Sequence, residues 1–155
     1  MILKYLSFGI SLVFISFIVG MITTSILRNT NFYNNRLSNF NFIKSEKLNS
    51  IMGVNIVKWI VKNTFFKYLN PNLKINGKVN ISDFKNIREQ MTKAEIDHLF
   101  AFLFVMIFVI IKIYNEEYIL ALIILILNIL MNLCPTLLQQ RNKRRIDKFI
   151  SKFSK

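Results

Sequence analysis

Among its 155 residues the chain has one cysteine, one histidine, one tryptophan, two prolines and four glycines. A lone Cys134 excludes an intramolecular disulfide and is silent about the redox compartment. One imidazole with one neighbouring carboxylate and no clear third ligand falls short of a closed metal site, so neither metal nor cofactor is expected. No Gly-rich phosphate loop or zinc ligand set accompanies the basic residues, which sets nucleic acid aside as a partner. Acidic residues are also scarce: eight Asp and Glu face 21 Lys and Arg, for a net charge of +13. Heavy use of Ile, Asn, Lys and Phe with little Ala or Gly is the composition of an AT-rich bacterial genome.

Apolar side chains are what the sequence has in excess. A hydrophobic share of 53% and a mean hydropathy of +0.39 exceed those of an ordinary soluble domain and point to membrane spans. The charges flank apolar runs, so the expected partner is the lipid bilayer with its anionic headgroups. The length suits one membrane domain over 1–155. It divides into a first transmembrane helix at 1–27, a cytoplasmic and interfacial segment at 28–93, a transmembrane hairpin at 94–140 and a basic tail at 141–155. The expected fold class is all-α, with about three transmembrane helices, an amphipathic interfacial helix and a C-terminal helical hairpin.

Residues 2–27 are apolar apart from Lys4 and small hydroxyl side chains, long enough for a span of roughly 20 residues. The rival is a signal peptide, but no A-x-A-like site follows, which favours a span or uncleaved anchor. Residues 28–50 are polar and Asn-rich with scattered aromatics. They suit a loop at headgroup level or an ordinary solvated connection. In residues 51–69, Val54, Val57, Ile60, Val61 and Phe65 recur at helical spacing, with Lys58, Lys62 and Lys67 between them. That pattern fits a helix lying in the membrane interface or one packed on the hairpin as core. Asn70-Pro71 ends it. Residues 72–80 suggest a short turn or hairpin around Asn76-Gly77. A further helix opens with Ser82 or Asp83 as N-cap and runs into the hairpin.

The hairpin legs cover 99–114 and 118–138, turning at Asn115, Glu116 and Glu117. The first leg, at about 16 residues, is short of the roughly 20 needed, and Ile96 and the stem of Lys112 extend it. Pro135 predicts a kink or a loosened last turn, with a carbonyl near Met131 freed for a carboxamide. Lys and Arg dominate both 28–93 and the tail, while the turn is acidic. The positive-inside rule therefore puts both hairpin feet and the tail in the cytoplasm of a multi-pass cell-membrane protein.

Antiparallel legs turning near Glu116 bring His98 level with Cys134, and Glu95 level with residues 136–138. Glu95 and His98 are three apart and share a helix face. Asn128, Asn132, Pro135, Gln139 and Asn142 step by four, three, four and three and share another. Polar groups beside an apolar span usually face inward to a partner. Such a set can do chemistry. His98 can take a proton from an alcohol attacking an acyl carbonyl. Glu95 can hold its tautomer, Asn132 or Gln139 can donate to the oxyanion, and Arg141, Arg144 or Arg145 can grip an anionic group. The other reading is a hydrogen-bonded clasp that locks the hairpin. Cys134 as a nucleophile is a third option, although a lone Cys in an apolar helix is usually packing.

Ala94-Glu95 followed by His98 resembles the A-E-x-x-H-W signature of the glycosyl-4,4′-diaponeurosporenoate acyltransferase family. The run Asn132, Pro135, Gln139, Asn142, Lys143 and Arg145 resembles that family's N-x-x-P-x-x-x-Q-R-Y-N-R-x-R ending. The resemblance covers the last two-thirds of the chain and is specific at the two hairpin feet. It implies transfer of a fatty acyl group from a lipid-soluble donor to a hydroxyl of an amphiphilic acceptor such as a carotenoid glycoside. It also implies Glu95 and His98 as catalytic residues, and Asn132, Gln139, Asn142 and Arg145 as substrate-binding ones. Leu99 stands where the family has Trp, Gln140-Arg141 where it has Arg-Tyr, and Lys143 where it has Arg.

Overall fold

The computed structural model describes residues 1–64 and 81–153. The protein is all-α, with no strand among the described residues. The helices are α1 (Ile2–Leu27), α2 (Asn31–Asn35), α3 (Glu46–Ile51), α4 (Val54–Asn63), α5 (Ile81–Tyr114), α6 (Tyr118–Asn128) and α7 (Cys134–Phe153). A single 3-10 turn, Leu37–Asn39, follows α2, and a π-turn, Ile129–Leu133, joins α6 to α7. Three helical runs are long and apolar enough to cross a membrane: Ile2–Leu27, Ile81–Tyr114 and Tyr118–Phe153.

In α1, the residues facing the other helices are small. Gly9, Val13, Ser16, Gly20 and Thr24 are buried four or three apart, while Phe14, Ile15 and Ile18 face outward. That stripe lets the α1 backbone approach its neighbours closely. A Cβ at Gly20 would strike the carbonyl of Asp97, so α1 and α5 nearly touch there. Higher up, Leu12 packs with Val105, Val109, Leu120, Ala121 and Ile124 in the core shared by α1, α5 and α6.

The hairpin turns where expected. Glu116 adopts φ 62°. The N–H of Glu117 donates to Lys112 O at 2.9 Å and that of Glu116 to Ile113 O at 3.0 Å. This is a Schellman cap, which satisfies the last carbonyls of α5. The expected merger of the preceding helix with the first leg is also present, as 34 unbroken residues of α5. Because α5 already includes Ile81, Ser82 and Asp83 lie in its first turn rather than at a cap. A carboxylate there suits the positive end of the helix.

Three further expectations need correction. The second leg does not end near residue 138: its helix runs on to Phe153, so the basic tail is helical. The helix expected at 51–69 starts at Val54, because Gly53 takes φ 79° and separates it from α3. Its Val54 and Val57 pack on Cys134, Leu137 and Leu138, whereas Trp59 is 64% exposed. Its expected continuation past Thr64, the Asn70-Pro71 stop and the turn at 72–80 lie outside the described residues. Finally, residues 28–50 are not a free solvated connection. They form a strap folded onto α7, described next.

Candidate active site

The site begins with a change of helical pitch. Pro135 has no N–H to give, and the chain before it relaxes into the π-turn, where Cys134 N–H donates to Ile129 O. Thr136 Oγ1 donates to the Asn132 carbonyl at 2.9 Å. A π-turn holds one residue more than the α-helix it interrupts, so every later residue on a given face moves up by one. The expected face of Asn128, Asn132, Pro135, Gln139 and Asn142 therefore becomes Asn128, Asn132, Thr136, Gln140 and Lys143, all of them buried. Gln139 and Asn142 are left half-buried beside it, and Arg145 is exposed.

This register decides what Glu95 meets. Glu95 is 0% exposed and Lys143 3%. Lys143 Nζ donates to Glu95 Oε2 at 2.5 Å, Ser38 O at 3.1 Å and Phe40 O at 3.3 Å, which uses all three of its protons. Gln140 Nε2 donates to Glu95 Oε1 at 2.9 Å. Both carboxylate oxygens are thus committed across the hairpin. Glu95 therefore meets residues 140 and 143 of the second leg, further from the turn than the expected level of 136–138.

Arginines of α7 and α5 hold the strap and α4. Arg144 Nη1 donates to Asn41 Oδ1 and Ile43 O at 2.7 and 2.8 Å. Arg141 Nη1 donates to Asn55 Oδ1 at 2.8 Å. From α5, Arg88 pairs with Asp147 at 2.5 Å and reaches Asn39 at 3.3 Å. The strap closes over the end of the hairpin at which Glu95 lies.

One turn along α5, His98 meets α1 and the π-turn. Its ring packs edge-on against Phe17, centroids 5.4 Å apart. Asn132, two residues before Cys134, is its polar neighbour in the π-turn. Asn132 gives its amide protons to Asn128 Oδ1 at 2.8 Å and Ser16 Oγ at 3.2 Å. Asn128 in turn donates to Phe102 O at 3.1 Å. This chain presents Asn132 Oδ1 to the site. Yet His98 Nδ1, Asn132 Oδ1 and Asp97 Oδ1 are all buried without an aligned partner. The other Asp97 oxygen holds Lys93 at 3.1 Å. Cys134 is buried with its Sγ donating to Met52 O at 3.0 Å, the position of a packing thiol.

Beside this cluster, where α1 ends and α5 begins, a cleft of about 900 Å³ opens. Tyr33 and Thr92 belong to its wall and are buried. Burial pushes the Tyr33 phenol above its ordinary value, so it stays protonated at neutral pH.

Sequence patterning did not single out Gln140 as a site residue, nor did it pick out Asp97, Ser16 or Tyr33. The signal for Gln140 and Lys143 was Pro135 itself, because a π-turn before it shifts the face by one. Among the described residues, no cluster of three or more His, Cys, Asp or Glu could hold a metal.

Comparison with known proteins agrees with the motif reading. The profile of the glycosyl-4,4′-diaponeurosporenoate acyltransferase family matches residues 29–152. No curated protein and no solved structure matches the chain. The match takes in the strap, α4, α5 with Glu95 and His98, and the π-turn with nearly all of α7. The chain belongs to the glycosyl-4,4′-diaponeurosporenoate acyltransferase family.

Proposed function

We propose that the protein is a membrane acyltransferase. It moves a fatty acyl group from a lipid-soluble donor onto a hydroxyl of an amphiphilic acceptor such as a carotenoid glycoside. The observation that carries the reading is the His98 imidazole beside an apolar span, its buried Nδ1 without an aligned partner, within the matched residues of the family. An unpaired polar atom at such depth is costly and marks function more often than packing.

In this reading His98 is the general base. The acceptor O–H gives its proton to the imidazole as its oxygen attacks the acyl carbonyl. A C–O bond forms, the bond from the acyl carbon to the donor's leaving group breaks, and the imidazolium returns the proton to that group. Asn132, whose amide protons are held by Asn128 and Ser16, orients the ring. Glu95 acts through the fold, by fixing α5 against α7. In this reading Gln139, Asn142 and Arg145 of α7 bind the acceptor. Positive charge at both hairpin feet supports a cytoplasmic site in the cell membrane.

A second reading has its own observation. The Glu95, Gln140 and Lys143 network is paired across the hairpin, as a purely structural clasp requires. His98→Gln separates the two. Under catalysis, product falls by about 10²–10⁴-fold at matched protein level. Under a clasp alone, the change costs on the order of 1 kcal/mol, and no ester is specifically lost. Mass spectrometry of extracted lipids from cells expressing each protein reads the result. Equal ester in both samples removes His98 from the chemistry.

A further inference from the structure

The cleft beside the site is strongly basic. Arg28, Lys85, Arg88 and Lys93 line it against one carboxylate, Glu89. Arg28 pairs with that Glu89, while Arg88 and Lys93 pair with Asp147 and Asp97. Lys85 is exposed, and no described carboxylate pairs with it. A glycoside acceptor with a neutral sugar offers these side chains hydroxyl oxygens but no countercharge. Phosphate esters supply it.

The cleft also has an apolar extension. Ser25 lines it and, on its other side, lines a shallow groove of about 380 Å³ with Met21, Ile22 and Ile26. Met21, Ile22 and Ile26 are exposed on the outer face of α1. A charged chamber and an apolar groove thus share a wall, at the end of one apolar span and the start of another. That is the layout an amphiphile needs at a membrane boundary. Thr92, on the cleft wall, stands six residues before His98 on α5, and Lys93 binds the Asp97 that precedes His98.

We propose that this cleft holds the phosphate-bearing headgroup of the acyl donor, with its chain lying along Met21, Ile22 and Ile26. The proposal rests on the acyltransferase reading and names its donor class. Two sources share this chemistry: an acyl thioester of coenzyme A arriving from water, and an anionic phospholipid arriving from the bilayer.

The test is equilibrium binding to the full chain in uncharged maltoside micelles. Palmitoyl-coenzyme A, phosphatidylglycerol and uncharged monoolein serve as probes. At least one phosphate amphiphile should bind about tenfold or more tighter than monoolein, with affinity falling as salt rises. Lys85→Glu should weaken that binding about tenfold, since it reverses a charge at an exposed site with no ion pair to a described carboxylate. A coenzyme A preference supports the aqueous donor, and a phosphatidylglycerol preference the bilayer donor. The proposal is overturned if neither exceeds monoolein, or if binding ignores both salt and Lys85→Glu. His98→Gln should bind like the wild type. Binding that persists in a protein forming no ester removes the acyltransferase reading alone. Ester formation with an unchanged KM in Lys85→Glu removes the cleft alone.

Discussion

Glu95 and His98 stand one turn apart on α5, and their surroundings differ. Glu95 has both oxygens bonded, and its partner Lys143 spends every proton. Around His98, an imidazole nitrogen, a carboxamide oxygen and a carboxylate oxygen are buried with nothing aligned to them. Polar atoms are costly in both places. A carboxylate bonded at both oxygens at low dielectric rigidifies what it joins, here α5, α7 and the strap, although Gln140 Oε1 beside it has no partner. An open cluster persists only where the surrounding fold enforces it, which is typical of sites that bind or react. The comparison makes Glu95 the centre of a structural clasp and leaves His98 as the residue on which the proposed chemistry rests.

The strongest way to break this division is to open the clasp. Lys143→Met leaves the Glu95 carboxylate buried without its cation and should cost about 3–5 kcal/mol. The expected result is a large fall in the thermal midpoint of the purified protein. Glu95→Met combined with Lys143→Met should recover much of the loss, since a well-packed apolar pair often replaces a buried ion pair without penalty. If Lys143→Met instead kept its midpoint and lost only product, the pair would belong to the reaction.

A smaller effect is expected from Gly20→Ala. Its Cβ meets the Asp97 backbone, with Ala101 N at 3.2 Å, and neither is a flexible side chain that can move aside. Overpacking of this kind costs about 1–3 kcal/mol. The displaced element is α1, which carries Ser16 and Phe17 against Asn132 and His98. Ester formation should therefore drop further than the shift in midpoint explains, while the Glu95 clasp, which α1 does not touch through any of its bonds, stays closed. Equal loss of both would show that the two regions are one unit.

These differences track what the sequence made legible. Long apolar runs and the acidic turn at Asn115, Glu116 and Glu117 fixed three helices and their hairpin, because burial and hydrogen-bond closure in lipid leave few alternatives. Glu95 and His98 were visible because they share a helix face at the foot of an apolar leg. The strap was not. Its structure comes from polar bonds between residues about a hundred positions apart, such as Lys143 to Ser38 and Arg144 to Asn41. No local periodicity records such bonds. The partner of Glu95 was missed by one position for a different reason. Periodicity assumes an uninterrupted α-helix, and Pro135 allows a π-turn that only tertiary packing selects.

That one-residue shift supplies the finest test. Leu130 lies in the π-turn and is exposed, so its removal takes away no core side chain. Deleting it leaves the buried set Asn128, Asn132, Thr136, Gln140 and Lys143 spaced three, four, four and three, an ordinary helical face. The chain can then close as an uninterrupted α-helix with α6 and α7 in their present phases, and Lys143 still reaches Glu95. What changes is Asn132, which now follows Asn128 by three residues rather than four and loses its line to Ser16. Losing that bond should cost about 1 kcal/mol, the scale of one interhelical hydrogen bond in a bilayer. The reaction should suffer more, because a catalytic group misplaced by about 1 Å loses on the order of 10²-fold in rate. A deletion variant that folds near the wild-type midpoint, keeps its clasp and makes little ester would assign the π-turn to positioning Asn132 against His98. A variant that makes ester at the wild-type rate would mean that the π-turn serves packing alone and that Asn132 has no part in orienting the ring.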